Sequence, residues 1–323
     1  MTEVTFVRLP AWRILIPPCS PLRLALLLVV MLSFGCTATV KPVALGDTPL
    51  PSSEELSVSS SEKNRLKELP VDTLIQNGYE ALAKGNQQMA QIHFLMAAEK
   101  DPASAAAFTG LGQTWQMSGN STSARSAFNK ALQLDPEHLP ALLGLGRLNR
   151  DEGNFDAAFE NLSKAMALQP ENSVVLTELA TTYDLSGKEK LAEPLYLKVV
   201  ELKPSSPAYN NLGFNYMLQG RYPEAVSALQ KSLSLDAKNQ RARNNLASAY
   251  ALNGNEPEAL ELFESVVGKA PAYNNLGYIY MTQGEWDKAE QAFRKALDLN
   301  PRFYMRAQEN LERLQRIRNP FSP

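Results

Sequence analysis

A chain of 323 residues with 32 basic and 34 acidic side chains, a formal net charge of -2, has no charge excess of the kind that draws a protein onto nucleic acid or anionic lipid. Its only cysteines, Cys19 and Cys36, and its widely separated histidines, His93 and His138, leave no disulfide framework and no Cys/His metal site to assemble beyond residue 36. The inventory points to no metal, no cofactor, no nucleic-acid partner and no catalytic machinery.

At the N-terminus, Arg8, Arg13 and Arg23 precede the apolar run "LALLLVVMLSF", Leu24 to Phe34. As a helix it would span about 16 Å, roughly half of a bilayer core, so it suits a signal-peptide apolar region better than a permanent span. The run ends in "LSFGC", with small residues Ser33 and Gly35 ahead of Cys36. That ending resembles the bacterial lipobox, which implies a lipoprotein signal peptide over 1–35 and a lipid on Cys36. An uncleaved amphipathic anchor, or an ordinary secretory signal with Cys36 a bystander, is the other reading. Thr37 stands where an inner-membrane retention aspartate would stand, so the resemblance implies the periplasmic face of the outer membrane. Residues 36–70 are rich in Ser, Pro and Thr and read as a disordered tether, too poor in apolar surface to offset the entropy of ordering.

From residue 71 the chain repeats itself, with unit starts near 71, 105, 139, 173, 206, 240 and 270. Gly85, Gly119, Gly153, Gly187, Gly220, Gly254 and Gly284 mark a turn in each unit. Five places later come Ala90, Ala124, Ala158, Ala192, Ala225, Ala259 and Ala289, small enough to let paired helices approach. Pro102, Pro136, Pro170, Pro204, Pro271 and Pro301 punctuate the unit ends, with Ala237 the exception. Apolar residues at helical spacing, such as Leu212, Tyr216, Leu229 and Leu233, fill the intervals, so each unit reads as helix, tight turn, helix. The last step is shortened, which requires Gly268 to end one helix and Pro271 to begin the next almost at once.

Phe108, Leu111, Gly112, Trp115, Ala124, Phe128, Ala131 and Pro136 in one unit, and Tyr273, Leu276, Gly277, Tyr280, Ala289, Phe293, Ala296 and Pro301 in the last, resemble the tetratricopeptide repeat. The resemblance implies an all-α, right-handed superhelical solenoid of about seven helix-turn-helix repeats over 71–303. Residues 304–323 supply a C-terminal capping helix and tail, needed to cover the last apolar stripe.

In this family the first helices of the repeats line a groove for a peptide or a partner helix. Here those places read Asn210, Asn211, Phe214 and Met217, then Arg241, Asn244, Asn245 and Ser248, then Asn274, Asn275, Tyr278 and Met281. Two readings of the asparagines stand: a ladder of donors and acceptors that grips a partner backbone, with Phe214 and Tyr278 giving apolar contact, or side chains that bond only locally. Asparagines at the place of a clamp's first lysine argue against a chaperone-tail adaptor. His93 and His138 read as structural or exposed.

The lipobox, the polar tether and repeats ending in "YNNLGYIYMTQGEWDKAEQAFRKALDLNPRFYMRAQENLERL" together resemble the lipoproteins of tight-adherence (Tad/Flp-type) pilus systems. That resemblance implies an outer-membrane scaffold for a pilus or its secretin, with protein partners and a membrane held through Cys36. A pilotin-like protein, or a cell-envelope assembly adaptor unrelated to pili, is the alternative.

Overall fold

The computed structural model describes residues 60–300 and 305–318, and its regular structure there is sixteen α-helices with no strand. The expected signal peptide and Cys36 lie outside the described residues. The chain divides into two compact units between Leu202 and Lys203.

The N-terminal unit opens with α1 (Ser60–Glu68). Four hairpins follow: α2 (Val71–Ala83) with α3 (Gln87–Lys100), α4 (Ala105–Met117) with α5 (Ser121–Leu134), α6 (Leu139–Asp151) with α7 (Phe155–Leu168), and α8 (Ser173–Leu185) with α9 (Glu189–Leu202). The C-terminal unit pairs α10 (Ser206–Leu218) with α11 (Tyr222–Leu235), α12 (Gln240–Leu252) with α13 (Glu256–Val267), and α14 (Lys269–Gln283) with α15 (Trp286–Leu299). It closes with α16 (Met305–Arg318). Within each unit a hairpin packs on the next, the all-α solenoid arrangement.

Every hairpin turn is built alike. At the last one Gly284 has φ 78°, a left-handed conformation that costs a glycine nothing, and the Glu285 amide donates to the Tyr280 carbonyl at 2.9 Å. The same long bond of a Schellman helix end runs from Asn86 to Ala81, Asn120 to Trp115, Asn154 to Asn149, Lys188 to Tyr183, Arg221 to Tyr216 and Asn255 to Tyr250. Connections between hairpins use an aspartate as well as a proline: Asp101, Asp135 and Asp236 each accept from the amide two residues on. Asp236 does so at 2.9 Å, which is why Ala237 can replace the proline without losing the turn. At the shortened step Gly268, with φ 83° and ψ 171°, ends α13 and precedes Lys269, and Pro271 falls in the first turn of α14.

The seven repeat alanines have no exposed surface. Beside them, large rings lodge against glycines. A Cβ on Gly78 would stand 2.6 Å from Phe94, and one on Gly110, in the next first helix, 2.2 Å from the same ring. Gly112 and Gly144 enclose Phe128 in the same way, at 2.6 Å and 2.5 Å. These pairs let one aromatic side chain join two successive hairpins.

The expected tether reaches to residue 70, but Ser60–Glu68 is helical and packed. Leu66 is buried with Ile92, Met96 and Ala97 of α3 and with Leu74 and Ala107. On later second helices the places of Ile92 and Met96 hold polar pairs such as Ser126 and Lys130 or Gln291 and Lys295. The first hairpin therefore presents an apolar outer strip, and α1 covers it. Lys100 Nζ then donates to the carbonyls of Lys67 at 2.8 Å and Leu69 at 2.6 Å, holding the end of α1. At the other end of the chain, Ala307, Leu311 and Leu314 of α16 close the core around Phe293. Arg318 meets Asp287 and Glu290, each at 3.0 Å. Among the described residues no helix is long and apolar enough to cross a membrane.

Candidate partner-binding face

The first helices of the C-terminal unit are joined by asparagines. Asn245 Nδ2 on α12 donates to Asn210 Oδ1 on α10 at 2.9 Å, and Asn310 Nδ2 on α16 donates to Asn274 Oδ1 on α14 at 2.9 Å. Asn210 and Asn274 are buried, so they lie beneath the expected groove surface and serve as inter-helix bonds. Asn210 Nδ2 also reaches Asn211 Oδ1 at 3.3 Å. Asn244, the equivalent of Asn210 and Asn274 on α12, has a buried Oδ1 with no hydrogen-bond partner among the described residues. Its expected donor is Asn275, and the missing rung falls at the step that is four residues short. The break in the series coincides with the shortened connection before α14.

The second asparagines, Asn211, Asn245, Asn275 and Asn310, are half-buried and form a row, one per helix. Residues three places later share each helix face and give Phe214, Ser248, Tyr278 and Arg313, while those four places earlier give Pro207, Arg241, Pro271 and Arg306. Phe214 and Tyr278 are half-buried and Arg241 and Arg306 exposed, so the face carries amides in the middle, rings on one side, and prolines alternating with arginines on the other. Met281 belongs to the core, and Met217 packs against the cluster around Leu229, so both methionines turn away from this face. Ser248 donates to its own helix at the Asn244 carbonyl, 3.0 Å.

Asn310, Arg306 and Arg313 join this face from the helix expected as a cap, whose "RLQRIR" run, Arg313 to Arg318, reads in the sequence as a solvated cap face or an acidic-partner patch. Their register was visible in the recurrence of Ala307 and Leu311 at the spacing of Ala272 and Leu276. Beneath the face, a polar seam ties α10 to α11 and to the loop before α12. Ser206 Oγ lies 2.9 Å from Ser232 Oγ, and Asn239 Nδ2 donates to Ser206 Oγ at 2.8 Å.

The corresponding face of the N-terminal unit is chemically different. Glu178 of α8 stands at the place of the second asparagines and accepts from Arg147 at 2.7 Å and Arg150 at 2.6 Å, both on α6. Nearby, Asp184 is buried, and Tyr196 hydroxyl lies 3.1 Å from Thr181 Oγ1. Burial, with the Asp184 charge second, holds the Tyr196 proton well above the usual tyrosine range. In the C-terminal unit, Tyr280 hydroxyl donates to Glu256, and burial followed by that carboxylate raises its pKa as well. Lys288 lies 5.2 Å from the Tyr280 ring centroid and pairs with Glu285.

His93 is buried in α3, and His138 stands at the N-cap position of α6 without a side-chain capping bond, its Nδ1 3.3 Å from Asp135. Among the described residues no group of three His, Cys, Asp or Glu side chains is placed to hold a metal ion.

Models of one family match residues 116–173, 149–213, 206–271 and 270–303, each described as tetratricopeptide repeat. The chain carries tetratricopeptide repeats. Human protein O-mannosyl-transferase TMTC1 is 27% identical to it over 133 residues, 40% of this chain and 15% of that protein. The chain thus spans about 15% of the length of that curated relative. A tetratricopeptide repeat protein from Parabacteroides merdae ATCC 43184 aligns with a TM-score of 0.56 at 21% identity, over 76% of this chain and 98% of that one. The Cut9-Hcn1 hetero-tetramer of APC/C gives 0.60 at 18% identity, over 79% and 51%. Pseudomonas aeruginosa pilF gives 0.55 at 19% identity, over 69% and 99%. At these identities the three structures share the repeat fold with this chain. Repeats of this kind form scaffolds for protein or peptide partners.

Proposed function

We propose that this chain is a non-catalytic, lipid-anchored scaffold of the bacterial cell envelope that holds a protein segment on the first-helix face of its C-terminal repeats. The observation that carries the reading is the division of labour among the asparagines. Asn210 and Asn274 fasten neighbouring helices, which leaves the row of Asn211 and Asn275, with Phe214 and Tyr278 beside it, set on rigid elements. Amide donors and acceptors next to aromatic rings suit a partner backbone with apolar side chains. The lipobox-like "LSFGC" supports attachment through Cys36 at the outer membrane facing the periplasm, since two or more acyl chains give stable anchoring. The similarity to tight-adherence pilus lipoproteins supports a role in assembling a Tad/Flp-type pilus or its secretin.

The test is co-purification from envelope extracts of the source organism. The full chain is expected to bring down a secretin or pilus subunit, and Phe214→Ala with Tyr278→Ala to lose it. Cys36→Ser is expected to release the protein from the membrane fraction. Recovery of other envelope proteins would transfer the role to a general assembly adaptor or a pilotin-like one.

A further inference from the structure

We infer that the segment held on the C-terminal face is an acidic one, an extended polypeptide whose carboxylates meet Arg241, Arg306 and Arg313. The inference rests on the face proposed above and names the chemistry of its partner.

Charge distribution carries it. Helices α10, α12 and α14 contain no carboxylate at all, and their charged side chains are Arg241, Arg243 and Lys269. Arg243 is engaged with the Ala237 carbonyl, and Arg241 is exposed. On α16 Arg306 and Arg313 fall in the same columns as Arg241 and Tyr278; the carboxylates of that helix are Glu309 and Glu312, and Glu312 accepts from Gln308 at 2.9 Å. The ion pairs of α16 instead involve Arg318, turned toward Asp287 and Glu290. The N-terminal unit shows what an internally neutralised face looks like, because there Glu178 takes up both Arg147 and Arg150. Arginines that form no ion pair among the described residues, as Arg241, Arg306 and Arg313 do not, select for the opposite charge and speed encounter with it.

Spacing refines the partner. Packed helix axes stand about 8–10 Å apart, so α12 and α16, separated by α14, place their arginines roughly 18 Å apart. An extended chain rising about 3.3 Å per residue would bridge them with carboxylates some five or six residues apart. Single charges set between prolines and amides fit such a spaced peptide better than the continuous phosphates of a nucleic acid, as does the net charge of -2.

The experiment uses the full chain in detergent micelles and fluorescence anisotropy with short labelled peptides of alternating Asp and Ala, Ser and Ala, or Lys and Ala. The Asp–Ala peptide is expected to bind about ten-fold more tightly than the Ser–Ala peptide and to weaken as salt is raised. Arg241→Gln with Arg313→Gln should abolish that preference, and Arg241→Glu with Arg313→Glu should transfer it to the Lys–Ala peptide. Arg294→Gln, on the outer helix α15, should change nothing. Equal affinity for Asp–Ala and Ser–Ala peptides, a preference that survives the double Gln variant, or displacement at lower concentration by oligothymidylate than by unlabelled Asp–Ala peptide would overturn the inference. A photo-crosslinker at Tyr278 separates the two proposals. Charge-independent capture there sinks the acidic partner alone, whereas peptide bound but captured only on the outer face sinks the binding face itself.

Discussion

Asn245 donates to Asn210 across neighbouring first helices at 2.9 Å, and Asn310 repeats that bond on Asn274. The acceptors are buried and the donors stand at the surface of the same face. One pair of residue types therefore does two jobs, and the jobs separate on mutation. Asn245→Ala leaves the Asn210 oxygen buried without this donor, a cost of about 1–3 kcal/mol. Asn275→Ala, which leaves both bonds between helices intact, is expected to change stability by less than about 0.5 kcal/mol and to weaken partner capture. Urea unfolding of both variants, followed by hydrogen exchange on α10 and α12, distinguishes the two effects.

The glycines around Phe94 give a second prediction. Gly110→Ala sets a Cβ 2.2 Å from the Phe94 ring, and the overpacking is expected to cost about 1–3 kcal/mol. Phe94→Leu removes the ring edge from that contact, so it should restore part of the loss when combined with Gly110→Ala. Non-additive thermal shifts for the pair would verify the contact.

The seat of α1 is testable by proteolysis. Leu66 is the buried apolar anchor among the side chains described for that helix, and its truncation removes the contact with Ile92 and Met96. Leu66→Ala, and separately Met96→Lys, should release α1 and accelerate tryptic cleavage at Arg65 and Lys67 while α2 to α9 stay protected. Loss of the anchor is worth about 2–5 kcal/mol, more than a nine-residue helix can replace from its own hydrogen bonds.

Alkaline pH should weaken the N-terminal unit. The Tyr196 pKa lies well above the ordinary value of 10.0, so the folded state retains a proton that the unfolded chain gives up. Its contribution is complete below about pH 10 and is lost as pH climbs toward the folded value. Tyr196→Phe should flatten that loss, read as melting temperature between neutral and strongly alkaline pH together with tyrosinate absorbance.

The repeats were legible because their marks are backbone marks. Gly284 and its six counterparts need a left-handed turn, the fully buried alanine column needs close helices, and neither demand changes with context. The two asparagine roles were not legible, since Asn210 and Asn211 are adjacent and identical, and only helix rotation decides which is buried. Segment α1 escaped notice because its own composition is polar. The signal lay elsewhere, in Ile92 and Met96 standing where other repeats carry serine, glutamine and lysine. Likewise Arg306 and Arg313 looked like a solvated cap until Asn310 tied α16 to the row of first helices.

The central claim is that partners sit on the first-helix face of the C-terminal repeats. A photo-crosslinking amino acid at Tyr278, and separately at the exposed Gln291 on α15, in living cells of the source organism tests it most directly. The account predicts capture of an envelope assembly protein at Tyr278 and none at Gln291, and equal capture at both positions, or capture at Gln291 alone, would contradict it.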